Sequence, residues 1–365
     1  VFMEPVIQMN NICKTFKVLN RKTGIKGAVQ NLVSRDYKEI KAVDDISLTI
    51  NAGEMVGYLG PNGAGKSTTI KVMTGILEPT SGNILVNGRV PYKNRSVNAQ
   101  DIGVVFGQRS QLWWALPVIE SFRILKEVYA IPDDVYKKNM QMFSDLVNVE
   151  NLYNKPVREM SLGQRTLCDI LSSFLHNPGI VFLDEPTIGL DVSMKSKIRY
   201  LISELNKEKG TTIILTTHDM GDVDALAKRI IIIDQGKMIY DDNIAHLKTF
   251  FGAYRTIKIT LPNEQFDGAD EEKKAKFIAD ITSQIIAKNE KARNIHVSLD
   301  ESELSILVPE AEVPLIEVLS TSQEILPVKD VQIAEISTES IIRKIYEGNE
   351  SKSKLLSSEV KEKAE

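Results

Sequence analysis

Gly60-Pro61-Asn62-Gly63-Ala64-Gly65-Lys66-Ser67-Thr68 is the stretch that decides the fold. It fits the pattern G-x-x-x-x-G-K-[S/T]. A strand expected over 54–59 feeds it, and a helix expected over 68–74 leaves it. Glycines let successive backbone N–H groups turn inward around a polyphosphate, and the helix N-terminus adds partial positive charge. Lys66 can reach the β- and γ-phosphates of a nucleotide, and the Ser67 hydroxyl suits a magnesium ion. Gly60, Asn62, Gly63, Ala64, Gly65, Lys66, Ser67 and Thr68 are therefore candidate triphosphate-binding residues. The stretch alone does not distinguish a switch, a kinase, a helicase or a pump.

Outward from the loop, strands and helices alternate. Strands are expected over 6–16, 42–50, 54–59, 83–87, 102–106, 180–183, 212–216 and 230–233, with helices over 193–207 and 220–227. That alternation predicts an α/β core on a mainly parallel sheet. Residues 109–177 read as a helical subdomain inserted into it. The stretch 17–41 is rich in Lys and Arg, with Ile25, Ala28, Val29, Leu32 and Val33 at helical spacing. It predicts a short basic amphipathic helix inserted in a loop. Such a helix suits lipid headgroups or a membrane partner; a surface insertion packed on its own domain fits equally.

Beyond residue 254 the pattern changes to β-α-β-β-α-β, a small α+β ferredoxin-like domain over 255–348. It carries no His cluster and no Gly-rich loop, and dimer contact or regulation is its expected role. The Ser-rich, charged tail 349–365 is expected to be disordered. The first domain is thus expected over 1–254.

Bulk properties exclude several classes. At 365 residues with 42% hydrophobic and 26% charged residues, the chain reads as two globular domains. A net charge of −4 gives no global positive field for nucleic acid. No apolar run approaches the ~20 residues of a membrane span. Val1–Pro5 carries no leader pattern, and Met3 is the expected natural start. Cys13 and Cys168 lack metal-like spacing, which fits a reducing cytoplasm.

Two further constellations carry chemistry. Ile180-Val181-Phe182-Leu183 is an apolar run ending in Asp184 and Glu185. Beside a phosphate loop, the first acid suits Mg²⁺ and the second suits a general base. Met160-Ser161-Leu162-Gly163-Gln164-Arg165 heads a helix running to about His176. Ser161 is a good N-cap, and Gly163 permits close approach of backbone. A second anion-binding helix start cannot easily reach the phosphate held by Lys66 within one subunit. A ligand sandwiched between two copies of the chain would meet both.

Over about residues 6–250 the sequence resembles the ATPase subunit of ATP-binding cassette (ABC) transporters, its motifs standing in the family order. The phosphate loop is 60–67, Gln108 takes the Q-loop position, and Ser161-Leu162-Gly163-Gln164 matches the signature motif. Leu162 stands where the family usually has glycine. Asp184 and Glu185 match the Walker B acids, Gly189-Leu190-Asp191 the D-loop and His218 the switch histidine.

The resemblance implies two subunits closing head-to-tail on two ATP molecules. Ser67, Gln108 and Asp184 would serve Mg²⁺. Glu185 would activate water, and His218 would contact the γ-phosphate. Ser161, Gly163 and Gln164 would belong to the opposite half-site, with Asp191 linking the sites. An aromatic near the first strand would stack on adenine: Phe16 fits the strand register, Tyr37 fits the distance to Lys66, and the register favours Phe16. The neighbourhood of Trp113 and Trp114 would receive integral membrane subunits, unless the indoles are core of the helical subdomain.

One ATPase unit without a span implies a multi-subunit transporter. The basic insertion and the 105–114 and 161–165 runs resemble bacterial drug, daunorubicin or viologen exporters. The implied location is cytoplasmic, peripheral on the membrane's cytoplasmic face. The alternative is a soluble ABC ATPase in translation or DNA repair.

Overall fold

Every position of Met55–Leu59 is buried, as an apolar strand covered on both faces requires. A computed structural model of the chain describes residues 4–19, 37–107, 110–250, 254–262, 271–300, 303–309, 312–335 and 338–347. The expected helix of residues 25–33, the tail 349–365 and Gln108 lie outside them. The chain divides into two compact units between Asn243 and Ile244.

In the first unit, β1 (Pro5–Leu19) pairs antiparallel with β2 (Tyr37–Asn51). β3 (Met55–Leu59), α1 (Lys66–Met73), β4 (Ser81–Val86), α2 (Arg95–Asp101) and β5 (Ile102–Phe106) follow. The helical subdomain holds α3 (Val118–Val128), α4 (Asp133–Val147), α5 (Glu150–Tyr153) and α6 (Leu162–Phe174). Then come β6 (Ile180–Asp184), α7 (Val192–Lys209), β7 (Thr212–Thr216), α8 (Met220–Leu226), β8 (Arg229–Asp234) and β9 (Lys237–Asn243).

The central sheet runs β5-β6-β7-β3-β8-β9, parallel except for the edge strand β9. Alternate residues feed two cores. Leu183, Ile213 and Leu215 pack with Phe122 and Phe174 of the helical side. Phe182, Ile214 and Ile231 pack with Ile46, Tyr58 and Ile70 on the other face. β1, β2 and β4 form a separate antiparallel sheet of order β2-β1-β4. Sequence reading took these strands for part of one sheet and missed α2 and β9.

The loop-and-helix reading of 17–41 is corrected at both ends. Residues 17–19 and 37–41 are strand, because the β1–β2 ladder continues through Lys17↔Glu39 to Leu19↔Tyr37.

The second unit holds α9 (Ile244–Phe250), β10 (Tyr254–Thr260), α10 (Glu271–Lys288), β11 (His296–Asp300), β12 (Glu303–Pro309), α11 (Leu315–Ile325), β13 (Asp330–Glu335) and α12 (Thr338–Glu347). Its sheet, β11-β12-β10-β13, is antiparallel throughout, the ferredoxin-like arrangement. Ile257, Ile259, Ile281, Ile285 and Ile306 are its core. The unit begins before the expected boundary at 254/255, because α9 packs with α12. Among the described residues, no helix is long and apolar enough to cross a membrane.

Candidate active site

Parallel strands in register deliver their carboxyl ends to one edge of a sheet, where α/β proteins bind ligands. Here β3 ends in the glycine-rich loop, β6 in Asp184, and β7 in Thr216. Phe106 pairs with Asp184, and Asp184 pairs with Thr216. The Gly107 amide donates to the Asp184 carbonyl at 2.9 Å, which brings the end of β5 to the same edge.

Gly65 is the N-cap of α1 with φ 107°, and it offers no side-chain acceptor. The first-turn N–H groups of that helix are therefore left for a ligand. A Cβ at Gly65 would come within 2.2 Å of the Ala42 carbonyl oxygen, so only glycine lets the loop lie against β2. Lys66 is 7% exposed. Its ammonium donates to the carbonyls of Gly60 at 2.5 Å and Pro61 at 3.1 Å, folded over the loop it belongs to. Burial holds it below the usual lysine value, and the carboxylates of Glu185 and Asp184 pull the other way. A glycine cradle, a helix N-terminus, a buried lysine and the adjacent Ser67 hydroxyl fit a nucleotide polyphosphate with its magnesium ion. Thr69 serves the helix instead: its hydroxyl donates to the Gly65 carbonyl at 3.1 Å.

The two acids differ in setting. Asp184 accepts from the Thr216 hydroxyl at 2.5 Å. Glu185 lies just past the end of β6 with φ 53°, left-handed backbone that costs a non-glycine residue roughly 1–3 kcal/mol. Its amide is held by the Thr216 carbonyl at 2.9 Å and by the Thr216 hydroxyl at 3.2 Å. The bend turns its carboxylate towards His218, whose Nε2 lies 2.6 Å from Oε1. A cavity of about 310 Å³ opens beside this pair, lined also by Lys195 and Asp219.

Sequence reading missed what holds this arrangement. The buried carboxylate of Asp222 accepts from Thr187 at 2.5 Å, Thr217 at 2.8 Å and Arg199 at 2.6 Å. Lys195 and Arg199 of α7 also bind Asp219, at 2.5 and 3.1 Å. The loop after Glu185, the His218 loop and α7 are thereby one polar network. A signal was available: Asp222 stands four residues before buried Leu226, on the apolar face of α8, where an acid must find partners.

The Ser161 segment is a capped helix start. The Gln164 amide donates to Ser161 Oγ at 3.2 Å, and the Ser161 amide donates to Gln164 Oε1 at 3.3 Å. Lys155 adds a bond to the same Oε1 at 3.2 Å. Gln164, which the resemblance implies for the opposite half-site, has its Oε1 engaged here in capping α6. Gly163 is buried against α7, and a Cβ there would meet Met194 Cγ at 2.5 Å. Gly163→Ala is expected to lower stability by about 1–3 kcal/mol through overpacking, despite the better helix propensity of alanine. Thermal unfolding should show a lower Tm, and adding Met194→Ala should restore most of it. Asp191 caps α7, its Oδ1 accepting from the Met194 amide at 2.9 Å.

Phe16 and Tyr37 are both exposed on the β1–β2 ladder. Phe16 lies opposite Ile40, and Tyr37 lies opposite Leu19. The odd spacing between these pairs puts the two rings on opposite faces, so only one can meet a base bound at the loop. Trp113 and Trp114 are 41% and 55% exposed, which rules out the reading that buried them in the helical core.

The family described as ABC transporter matches residues 43–188. The ABC transporter ATP-binding protein NatA of Bacillus subtilis (strain 168) is 36% identical over 203 residues, 56% of this chain and 82% of that protein. The linearmycin resistance ATP-binding protein LnrL of the same organism is 34% identical over 236 residues, 64% of this chain and 75% of that protein. Against ABC transporter A family member 1 of Dictyostelium discoideum, 34% identical over 225 residues, the match spans 62% of this chain and only 25% of that protein. The dimeric structure of the ATP-binding cassette MJ0796 in a post-hydrolysis state, bound to ADP and Pi, superposes with TM-score 0.53 at 26% identity. It covers 65% of this chain and 98% of that one. With loop, acids, histidine and capped helix placed as above, the chain belongs to the ATP-binding proteins of the ABC transporter family, whose cassettes bind and hydrolyse ATP.

Proposed function

We propose that this chain is the ATP-hydrolysing subunit of a multi-subunit ABC exporter. The observation that carries the reading is the convergence of Lys66, Asp184 and the Glu185–His218 pair on one sheet edge. The name of LnrL, a resistance protein, supports the export direction. The basic insertion and the 105–114 and 161–165 runs, which resemble the drug, daunorubicin or viologen branch, support that reading.

Lys66 and the backbone of 63–66 would hold the β- and γ-phosphates. Ser67 and Gln108 would hold Mg²⁺, with Asp184 in support. When bound, that ion neutralises charge on the phosphate oxygens. Glu185, aimed by its left-handed backbone and by His218, would take the proton of the attacking water. His218 would also orient the γ-phosphate. Phe16, the aromatic of the strand register, would stack on adenine. The helix headed by Ser161 and Gly163 in a second copy of the chain would close the site, and Asp191 would join the two sites. The second unit, about 244–347, would serve dimer contact or regulation.

Trp113 and Trp114 would anchor integral membrane subunits from the cytoplasmic face. Exposed aromatics are strong anchors. Trp113→Ala with Trp114→Ala is expected to weaken capture of a polytopic membrane partner about tenfold or more. Co-purification from detergent extracts measures this. Unchanged capture would remove the indoles from the interface. Sedimentation of the wild-type chain with ribosomes or nucleic acid would favour a non-transport ATPase instead.

A further inference from the structure

The stretch after Gln108 is tied to α6 by a carboxylate that the proposed chemistry does not use. Asp169 stands on α6, two turns beyond Ser161, and is 4% exposed. Its Oδ1 accepts from the Ser110 hydroxyl at 3.0 Å and from the Gln111 amide at 3.0 Å. Burial pushes its carboxyl up to about 6, against the pull of those donors and of Arg165. One turn earlier on the helix, Arg165 lays its guanidinium 4.5 Å from the Trp114 ring centroid. Arg165 also donates to the Met160 carbonyl at 3.5 Å, next to Ser161. The Trp114 carbonyl accepts from the Arg158 amide at 3.0 Å, in the segment leading into the same helix.

We propose that Asp169 is a positioning residue that fastens the exposed Trp113–Trp114 pair to α6, so that the aromatic surface and the Ser161 end of that helix move as one body. A load applied at the indoles then reaches Ser161 along a rigid helix, without first passing through residue 108. That the load comes from a membrane subunit rests on the transporter reading; the fastening is a property of this chain alone. A buried carboxylate with two donors suits the task, since removing it leaves the Gln111 amide without an acceptor.

Both tryptophans of the chain, 113 and 114, sit in this segment, so the intrinsic fluorescence reports on it directly. The test uses the full chain without nucleotide or partner, so failure of the transporter reading leaves its outcome unchanged. Asp169→Ala is expected to raise acrylamide quenching of the indoles, lower their anisotropy, and speed exchange of the Gln111 amide about tenfold or more. Ser110→Ala should move the same readouts less far. Asp169→Asn, which keeps an acceptor for Gln111, should restore most of the wild-type values. Wild-type quenching and exchange in both alanine variants would overturn the proposal. So would equal loosening in the alanine and asparagine variants with protection lost across the whole of α6, since that marks a packing role. Should Asp169→Ala fail to fold, Ser110→Ala and the asparagine variant decide the question by the same readouts.

Discussion

Glu185→Gln should lower ATP turnover by about 10²–10⁴-fold while leaving nucleotide affinity nearly unchanged. Glutamine keeps the shape of the side chain and can still hydrogen-bond His218, 2.6 Å from the native carboxylate. It cannot accept a proton from water. The left-handed backbone at 185 survives the change, because its amide bonds to Thr216 do not involve the side chain. Bound ATP would then persist, and two copies of the chain should remain closed on it. Size-exclusion chromatography with ATP should show a dimer that the wild-type chain forms only transiently. A persistent monomer with wild-type turnover would remove both the base and the composite site from the proposal.

Lys66→Ala should weaken ATP binding about 10–150-fold, the cost of one charge-assisted hydrogen bond or slightly more. The ammonium lies over the loop, held by the carbonyls of Gly60 and Pro61. Those carbonyls lose their donor in the variant, so a fall in loop order could mimic a loss of charge. Lys66→Arg separates the two, since it keeps the charge but presents a planar fork in place of a compact ammonium. Isothermal titration with ATP measures the affinity, and thermal unfolding without ATP measures the loop. Full affinity in Lys66→Ala would sink the assignment. Equal loss in alanine and arginine variants with an unchanged Tm would show that geometry matters as much as charge.

The candidate site was legible in the sequence wherever a strand end met a chemically distinctive residue. The loop 60–67, the acids after Phe182-Leu183 and His218 all follow apolar runs whose burial as strands is dictated by composition. Parallel register then had to bring them to one edge. What was hidden depended on contacts between elements far apart in sequence. Thr216 reads as an ordinary strand end until β7 lies beside β6, when it becomes the hydroxyl that holds Asp184 and the amide of Glu185. Asp169 reads as one acid in a helix until the segment after 108 folds back on it. The choice between Phe16 and Tyr37 could be framed by register and distance, but not by the ladder that sets the two rings on opposite faces. Residues 17–19 and 37–41 carry charges that suggest a solvated loop, yet the ladder continues through them because the neighbouring strand supplies the hydrogen bonds. Cross-strand pairing overrode local composition there.

β5 and β6 are adjacent in the sheet, yet the helical subdomain runs between them in the chain. Their pairing, Phe106 against Asp184, is settled by the ladder itself and not by the length or shape of what connects them. The connecting helices therefore hang from a joint whose two sides are already paired. Changes on their solvent side can leave the acids at the sheet edge in register, whereas changes at Phe122 or Phe174 reach β6 through Leu183. The insert still takes part in the proposed ATP chemistry, because it carries Ser161 and Gly163, so it is free to vary only away from that helix start and from the face packed on the sheet.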